Sequence, residues 1–466
     1  MPPPDVVITG LGVVSPLGHD LGSFWTGLLR GEVPARPLTF PGAAMPGAVA
    51  YLVEDVPDTD GIAAPPVPGR ALGGPAGGTP LGGRAPSAAH AVDGASGDLA
   101  GPGTASGGGA PPAACAPVPA APSHAPASQR LGRASTFALA AARDALADAG
   151  LGARGPGELA DVGLCVATGN GDSDLLEARR DGRREGTGLD WYPYNTLGLL
   201  SHRLGLYGPG LTISTACAAG AYAVAVGAEA IAAGETDVVL VGGAEAVSRP
   251  AVGAFLRLGA GDPEHCRPFD ADRAGAVYGE GAAFLVLESA EHAAARGRAP
   301  YARVLSSGWS CDAFHVTAPD PEGTQSLRAV HDALDRGGIA PDSIGAVLAH
   351  GTGTPANDAV ESRVTAQVLG DRTPDVPVTA VKASLGHSGG AAGAFACLTA
   401  ALVVRHGLVP PVGTLRRLDP ACALRVVRGA PEVSAAETVL VNAYAFGGNN
   451  ISVAVGAAGI RGEGGV

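Results

Sequence analysis

Short apolar runs rich in β-branched residues alternate with Ala-rich stretches of helical length along most of this chain. Strand candidates lie at 6–9, 162–168, 212–215, 238–242 and 283–288 in the first half, and at 302–307, 344–349, 376–380, 438–442 and 451–455 in the second. Helical stretches lie between them at 135–149, 218–233, 326–335, 358–369 and 390–405. This alternation predicts an α/β fold with buried parallel strands. Each half reads approximately β-α-β-α-β-α-β-β, which favours an internal duplication, although residue identities do not show it.

One segment lacks this alternation of strand and helix patterns. From about residue 62 to residue 128 the chain is dominated by Gly, Pro, Ala and Ser, with no aromatic residue and no Lys. Such a composition cannot bury enough apolar surface to offset the entropy of ordering, so we predict a disordered insertion. A linker between domains is the alternative, but the fragment before it is short for a domain. We therefore predict an N-terminal half at 1–295 that contains the insertion, a C-terminal half at 296–458 and a flexible tail at 459–466.

The composition limits the classes of function. Hydrophobic residues make up 46% of the chain and charged residues 16%, which provides for a large core, and the net charge is -13. An acidic chain is a poor partner for nucleic acid, whose phosphates attract a positive field. The seven cysteines are scattered and form no C-x-x-C pair, which is typical of reduced thiols inside a cell. We find no signal-peptide pattern at the N-terminus, and the apolar run 391–404 is shorter than the ~20 residues that a bilayer requires, so we predict a soluble, cytoplasmic protein without membrane insertion.

Four short segments carry side chains that could perform chemistry. Cys217, in Ser-Thr-Ala-Cys-Ala-Ala-Gly, lies where a strand gives way to a helix, whose positive dipole end favours a thiolate. His350 and His387 lie on Gly-rich turns after strands, where the sites of α/β proteins usually form. Phe446 lies on a tight turn between the last two strands. Taken singly, each segment has a structural alternative: a buried Cys, loop histidines bonded to the backbone, or a plain hairpin.

Together, the four segments resemble in order and spacing the signature of the elongating β-ketoacyl-acyl-carrier-protein synthases. The resemblance covers almost the whole chain outside 62–128, and it includes Val-Ile-Thr-Gly-Leu-Gly at 7–12, Cys-Arg-Pro-Phe-Asp at 266–270 and Gly-Glu-Gly-Ala at 279–282. It implies a thiolase-like fold, in which two β-α-β-α-β-α-β-β repeats form a five-layer α-β-α-β-α sandwich. It also implies a homodimer, or a heterodimer with a related subunit, that condenses malonyl and acyl groups in fatty-acid or polyketide and polyene biosynthesis.

The resemblance also implies a role for each matching residue. Cys217 would carry the acyl group, and its backbone N–H would form an oxyanion hole with that of Phe446, the gate of the acyl pocket. His350 and His387 would stabilise the enolate formed as carbon dioxide leaves, because preorganised donors lower the energy of developing negative charge. The supporting residues would be Lys382, Glu361 and Asp358. We expect no metal and no organic cofactor, and the expected partner is an acyl carrier protein loaded with an acyl or malonyl group.

Two positions depart from the family pattern. Ala445 replaces the glycine that usually precedes the gate residue, which would stiffen that turn. Asp172 falls where an apolar residue often lines the far end of the acyl pocket. A carboxylate beside an alkyl chain costs free energy unless it is paired or hydrated, which argues against long saturated substrates.

Docking of an acidic carrier protein on a chain of net charge -13 requires local positive charge. Two clusters are candidates. The first precedes the helix at 135–149 and aligns with a basic stretch that helps dock carrier proteins in the family, whereas the second is equally compatible with a solvated helix face. They comprise Arg130 and Arg133, and Arg179, Arg180, Arg183 and Arg184.

Two related alternatives share the fold. A thiolase usually needs a second Cys in a Cys-x-Gly motif, where this chain has Phe446-Gly-Gly-Asn. A catalytically inactive subunit of the chain-length-factor type typically lacks the nucleophile, whereas Cys217 and both histidines are present here. The sequence leaves the pathway open, although the insertion and Asp172 favour a specialised one.

Overall fold

The computed structural model describes residues 4–40, 45, 48–56, 59, 131–152, 159–183, 190–434 and 437–458. The predicted insertion at 62–128 and tail at 459–466 lie outside the described residues, as do the docking candidates Arg130 and Arg184. The expectations about them therefore stay predictions.

The described residues form strands and helices that alternate along the chain. The strands are β1 (Val6–Val14), β2 (Ala35–Pro37), β3 (Val49–Tyr51), β4 (Gly163–Ala167), β5 (Gly210–Ile213), β6 (Val238–Glu245), β7 (Gly281–Ser289), β8 (Ala302–Cys311), β9 (Ile344–Leu348), β10 (Val378–Thr379), β11 (Leu408–Val409), β12 (Glu432–Val433), β13 (Thr438–Tyr444) and β14 (Asn449–Gly456). The helices are α1 (Leu21–Arg30), α2 (Arg133–Asp148), α3 (Ser173–Arg180), α4 (Pro193–Leu204), α5 (Ala219–Ala232), α6 (Arg249–Arg257), α7 (Ala290–Ala295), α8 (Thr324–Gly337), α9 (Pro355–Leu369), α10 (Lys382–Leu385) and α11 (Ala392–His406).

The main sheet has ten strands in the order β10-β9-β13-β14-β8-β1-β7-β6-β4-β5. One repeat consists of β1, β4, β5, β6 and β7, and the other consists of β8, β9, β10, β13 and β14. From each edge of the sheet to its centre, the strands of a repeat follow in the same order: third, second, fourth, fifth and first. In both repeats the second strand is parallel to the third and fourth, and the fifth is antiparallel to the fourth and first. The two halves join where β1 pairs with β8. The structure therefore contains the duplication that the alternation of strands and helices favoured.

The two most apolar helices lie at the centre of the molecule. Helices α5 and α11 pack against each other and contact strands of both sheet halves, while α2 and α4 cover the first half and α8, with α9 beside it, covers the second. The two central helices approach closely because a Cβ at Gly220 would lie 2.4 Å from the Ala394 nitrogen, and one at Gly393 would lie 2.3 Å from the Ala221 nitrogen. These layers confirm the predicted five-layer fold.

The apolar segment that contains α11 is longer than the sequence indicated. Helical structure runs from Gly389 to His406, and these 18 residues would suffice in length and composition to cross a membrane. However, 78% of the segment is buried inside the protein, against α5 and strands of both repeats. Its burial, rather than the short length we had expected, indicates a core helix.

Candidate active site

Cys217 lies on a strained turn between β5 and α5. The turn Ala216–Ala218 is a single turn of 3-10 helix, and Ala216 adopts a left-handed φ of 48°. This conformation costs free energy in any residue that has a Cβ, and it persists only where the surrounding structure imposes it. Strain of this kind clusters at active sites, and here it immediately precedes a cysteine that is only 9% exposed.

The surroundings of the Cys217 thiol oppose the thiolate that we expected from its position before a helix. Burial raises the pKa of Cys217 to about 11, although the positive charge of Lys382 and the backbone N–H groups of Phe446 and Cys217 lower it. The cost of desolvating a thiolate therefore outweighs these favourable contacts, and Cys217 rests as a thiol. These contacts place two backbone donors beside the sulfur, and the predicted oxyanion hole stays a prediction.

Phe446 begins a short turn between β13 and β14. Gly447 and Gly448 follow it with φ values of 82° and 77°, which favour glycine. Ala445 has an extended backbone with φ -128° and ψ 158°, which any residue adopts, so alanine fits this position without strain. The Phe446 ring stacks on Phe255 of α6, with the ring centroids 6.0 Å apart.

His350 follows β9 and is buried beside Lys382. The Lys382 Nζ lies 3.3 Å from His350 Nδ1 and donates to the His350 carbonyl oxygen at 2.5 Å. Because an ammonium group only donates, Nδ1 is the acceptor and the ring proton lies on Nε2. Burial, followed by the charge of Lys382, lowers the pKa of His350 well below its usual value. His350 is therefore a neutral hydrogen-bond donor.

Two carboxylates on α9 hold the backbone around His350. Glu361 accepts from the N–H groups of His350 at 2.6 Å and Gly351 at 2.8 Å. Asp358 accepts from Phe269 at 2.8 Å and from two further N–H groups of the His350 loop. Burial raises the pKa of Glu361 to about 7, against the two N–H groups that lower it. Glu361 and Asp358 therefore fix the backbone of the His350 loop, and their supporting role in the reaction stays a prediction.

His387 follows the short helix α10, which comes after β10, and lies beside His350. The ring centroids of His350 and His387 are 5.7 Å apart, and the rings are nearly perpendicular. Burial and then the charge of Lys382 lower the pKa of His387 well below its usual value. Its Nδ1 has no hydrogen-bond partner among the described residues. The site thus contains two adjacent neutral imidazoles.

Two cavities meet at the Cys217 sulfur. The front cavity has a volume of about 240 Å³ and the rear cavity one of about 290 Å³. Both histidines line the front cavity, and an amide, a carboxylate and a phenol line the rear cavity among other groups. The nucleophile and two aromatic rings border both cavities. These residues are His350 and His387 in front, Asn170, Glu245 and Tyr278 behind, and Cys217, Phe255 and Phe446 between. No group of His, Cys, Asp and Glu that could hold a metal ion occurs in the described part of the chain.

Comparison with known proteins decides the family. Residues 113–293 match the N-terminal domain of beta-ketoacyl synthases, and residues 301–416 match their C-terminal domain. The chain belongs to the β-ketoacyl synthase family.

Individual proteins are also similar to this chain along most of its length. The chain is 30% identical over 461 residues to 3-oxoacyl-[acyl-carrier-protein] synthase 2 of Coxiella burnetii, which covers 96% of both proteins. It is 36% identical over 333 residues to Nodulation protein E of Rhizobium meliloti, covering 69% of this chain and 82% of the relative. The solved structure of the ishigamide ketosynthase/chain length factor is similar with a TM-score of 0.78 and 32% identity, over 98% of this chain and all of that one.

The polar side chains around the rear cavity of this β-ketoacyl synthase were not predicted from the sequence. Glu245 ends the apolar strand β6, and Tyr278 directly precedes the Gly-Glu-Gly-Ala segment, so both carried a signal that could have been used. Asn170 follows β4 at the same edge of the sheet. Phe255 lies near the end of α6, and nothing in the sequence distinguishes it from an ordinary core aromatic residue.

Asp172 occupies a different environment from the one that we expected. It does not line either cavity of this β-ketoacyl synthase. Its carboxylate accepts from the Ser135 N–H at 2.8 Å and the Ser135 hydroxyl at 2.5 Å, in the first turn of α2. Burial raises the pKa of Asp172 to about 6, and these hydrogen bonds oppose the rise. Asp172 therefore satisfies a helix N-terminus, and its charge does not bear on the acyl chain.

The docking candidates in the described part of the chain differ in the ion pairs that they form. Arg133 donates to both carboxylate oxygens of Glu280, at 2.8 and 2.5 Å, and is thereby neutralised within the protein. Arg183 pairs with Asp181 at 2.8 Å, although its side chain is 53% exposed. Two further arginines at the end of α3 are exposed and form no ion pair with any other described residue: Arg179 and Arg180. In the described part of this cluster, free positive charge lies at the end of α3.

Proposed function

We propose that this β-ketoacyl synthase condenses a malonyl-carrier protein with an acyl group held on Cys217, releasing carbon dioxide and giving a 3-oxoacyl-carrier protein in fatty-acid or polyketide biosynthesis. One observation carries the proposal: a thiol, two backbone donors directed at it and two neutral imidazoles border the same cavity of about 240 Å³. The thiol and the backbone donors suit acyl transfer, and the imidazoles suit decarboxylation. We assign acyl binding largely to the half at 1–295 and decarboxylation to the half at 296–458.

In the acyl-transfer step, the Cys217 sulfur attacks the thioester carbonyl of an acyl-carrier protein. The N–H groups of Cys217 and Phe446 stabilise the resulting oxyanion, and loss of one such donor typically costs about 3 kcal/mol. The bond between the acyl carbon and the carrier sulfur then breaks, and the carrier sulfur receives the proton of the Cys217 thiol. Because burial raises the pKa of Cys217 to about 11, this proton leaves as the sulfur attacks rather than beforehand.

In the condensation step, the bond between the malonyl carboxylate and its α-carbon breaks, and its electron pair forms an enolate. The Nε2–H of His350 and the ring of His387 stabilise the enolate oxygen as hydrogen-bond donors. The α-carbon then attacks the acyl carbonyl on Cys217, and the carbon–sulfur bond to the enzyme breaks. Uptake of one proton returns the Cys217 thiolate to the thiol. Lys382 and Glu361 act as positioning residues around His350.

The partner in both steps would be an acyl carrier protein, and we propose that the enzyme acts as a homodimer, or as a heterodimer with a related subunit, in the cytoplasm. Strand β5 forms one edge of the sheet. Leu211 on this strand and Tyr207 just before it are each 47% exposed. An exposed edge strand with apolar side chains is a favourable surface for pairing with a second chain.

Intact mass spectrometry tests the proposed reaction. Incubation with a panel of acyl-carrier proteins should add the mass of one acyl group, and malonyl-carrier protein should then remove it and yield the 3-oxoacyl-carrier protein. Replacement of Cys217 with Ala should abolish both changes. The matched control is Cys165→Ala, because Cys165 is also buried with its pKa raised to about 11 but lies within β4. A Cys217→Ala variant that still gains acyl mass would contradict the proposal.

A further inference from the structure

The lining of the rear cavity is mostly apolar, but a few polar side chains interrupt it beside Cys217. The cavity extends from Cys217 on the side of Phe255 and Phe446 away from the histidines, and it has a volume of about 290 Å³. Besides apolar groups, its lining contains the side chains of Asn170, Glu245 and Tyr278, and that of the exposed Ser214. Each polar group at such a site needs a partner, since an unpaired buried polar group is destabilising.

Glu245 has all its partners within the protein. One carboxylate oxygen accepts from the N–H groups of Gly169 at 2.8 Å and Gly390 at 2.7 Å. The other accepts from the backbone N–H of Asn170 at 3.0 Å and from its side-chain amide at 3.2 Å. Glu245 is thus a structural carboxylate that fixes the cavity wall. It also fixes the orientation of the Asn170 side chain, because a flipped amide would point its oxygen at the carboxylate.

Asn170 and Tyr278 each retain an unused hydrogen-bonding group. The Asn170 amide nitrogen donates to the Tyr278 hydroxyl oxygen at 2.9 Å, so this hydroxyl accepts and its own hydrogen is left to donate. Among the described residues, nothing accepts that hydrogen, and nothing donates to the Asn170 side-chain oxygen. Burial raises the pKa of Tyr278 well above its usual value, so the hydroxyl keeps its hydrogen. Two residues that line the rear cavity therefore retain one donor and one acceptor without a partner among the described residues.

These two groups discriminate between acyl chains. A saturated chain would cover the Tyr278 hydroxyl and the Asn170 oxygen without pairing either, which is the costly arrangement for buried polar groups. A chain with a keto or hydroxyl oxygen can accept from Tyr278, and a hydroxyl can also donate to Asn170. Sites built to hydrogen-bond a substrate group discriminate strongly against analogues that lack it.

We propose that the rear cavity binds an acyl chain that carries a keto or hydroxyl oxygen a few carbons from the thioester, and that Tyr278 and Asn170 select for it. This inference rests on the proposed function, since it assumes that Cys217 carries the chain. The product of each condensation has a keto oxygen on carbon 3. The reaction that supplies this substrate would therefore be a condensation that is not followed by complete reduction.

Competition between matched thioesters tests the inference. The enzyme is given acyl pantetheine thioesters of equal carbon number, one saturated and the others with a keto or hydroxyl oxygen on carbon 3 or carbon 5, and acylation of Cys217 is followed by intact mass. We expect the best oxygenated chain to react about tenfold or more faster than the saturated one. Replacement of Tyr278 with Phe should reduce this preference to near unity by slowing only the oxygenated chain. Asn170→Leu should weaken the preference for the hydroxyl chain more than that for the keto chain.

The matched control is Tyr301→Phe, which removes a hydroxyl that bonds to Asp148 away from both cavities and should preserve the preference. Equal acylation by saturated and oxygenated chains in the unmodified enzyme would overturn this inference and leave the proposed function intact. A preference that survives in both the Tyr278 and the Asn170 variants would overturn the assignment to these residues. Failure of every thioester to acylate Cys217 would overturn the proposed function, and this inference with it.

Discussion

The two repeats present different side chains at matching points of one strand order. In each repeat the turns after the second, third and fourth strands meet at the carboxyl edge of the sheet, where sites of α/β proteins form. At these points the N-terminal repeat presents Asn170, Cys217 and Glu245, and the C-terminal repeat presents His350, His387 and Phe446. The first set borders the rear cavity, and the second borders the front cavity, with Cys217 and Phe446 shared between them.

This difference indicates a division of labour within a duplicated scaffold. The N-terminal repeat supplies the thiol and the wall behind it, whereas the C-terminal repeat supplies neutral donors in front of it. Close packing of α5 on α11 brings the two turns that bear Cys217 and His387 to one place. If the division holds, variants of the two repeats should impair different steps of the reaction.

The largest effect is expected from the histidines of the C-terminal repeat. Replacement of His350 or His387 with Ala should lower malonyl decarboxylation by about 10²- to 10³-fold, because each variant removes a donor to the developing enolate. Acylation of Cys217 should be largely spared, since its oxyanion is stabilised by backbone N–H groups. Carbon dioxide release and acyl mass measure the two steps separately. The control is His331→Ala on the exposed side of α8. Equal losses in both steps would refute the division between the repeats.

The next effect concerns the stability of the C-terminal repeat. Lys382 and Glu361 are both buried on either side of the His350 backbone. Lys382→Met would leave the Glu361 carboxyl without its positive neighbour, and we expect a loss of about 3 kcal/mol or more in the free energy of unfolding. The double variant Lys382→Met with Glu361→Gln should recover part of that loss, because neither charge of the pair remains. Urea denaturation of the two single variants and the double variant measures the coupling, and purely additive losses would contradict it.

Much of this arrangement could be predicted from the sequence. The alternation of β-branched runs with Ala-rich stretches predicted an α/β fold and favoured the duplication, because strand and helix periodicity are local properties. The five layers were implied by the resemblance to the family. The turns that bear Cys217, His350, His387 and Phe446 were also identified, since each follows a recognisable strand. The helical segment that contains α11 was predicted at 390–405, within one residue of each end of the helical structure at 389–406.

Other features depend on residues that are distant in the sequence. The raised pKa of Cys217 arises from burial, which depends on the packing of distant parts of the chain and which no local pattern reveals. Similarly, Asp172 caps a helix that begins nearly forty residues earlier in the chain, so its partners could not be read from its neighbours. Asp172 is close in the sequence to a residue that lines the rear cavity, and it was therefore wrongly expected to line the acyl pocket itself.

A smaller effect is expected on pH dependence, in which alkylation of Cys217 in the N-terminal repeat should differ from decarboxylation at the histidines of the C-terminal repeat. The pKa of Cys217 is raised to about 11, so its thiolate fraction should rise about tenfold for each pH unit between pH 7 and pH 10. Alkylation of Cys217 by iodoacetamide should follow this rise. The pKa values of His350 and His387 are lowered well below the usual value, so both rings stay neutral over this range. Decarboxylation should therefore change little from pH 7 to pH 9. Alkylation that is already maximal at pH 7 would indicate a stable thiolate and contradict the burial argument.

The smallest effect is expected at the surface of the N-terminal repeat, where an acidic carrier protein would dock. Arg133 is a poor probe because Arg133→Glu would break its ion pair with Glu280 and disturb the fold. The exposed Arg179 and Arg180 at the end of α3 have no such partner among the described residues. Changing both to Glu should raise the KM for a carrier-bound substrate by about three- to tenfold at low salt and weaken its salt dependence.

The same change should leave the reaction with a small pantetheine thioester nearly unaffected, because that substrate does not touch the surface. A control with an equal change in charge is Arg328→Glu with Arg428→Glu, two exposed positions elsewhere in the fold. Since long-range attraction depends on total charge, this control should raise the KM less than the α3 variant if docking is local. If both variants raise it equally, only the net charge matters and α3 is not the docking surface. If the pantetheine substrate is affected as strongly as the carrier-bound one, the defect lies in the active site or in folding.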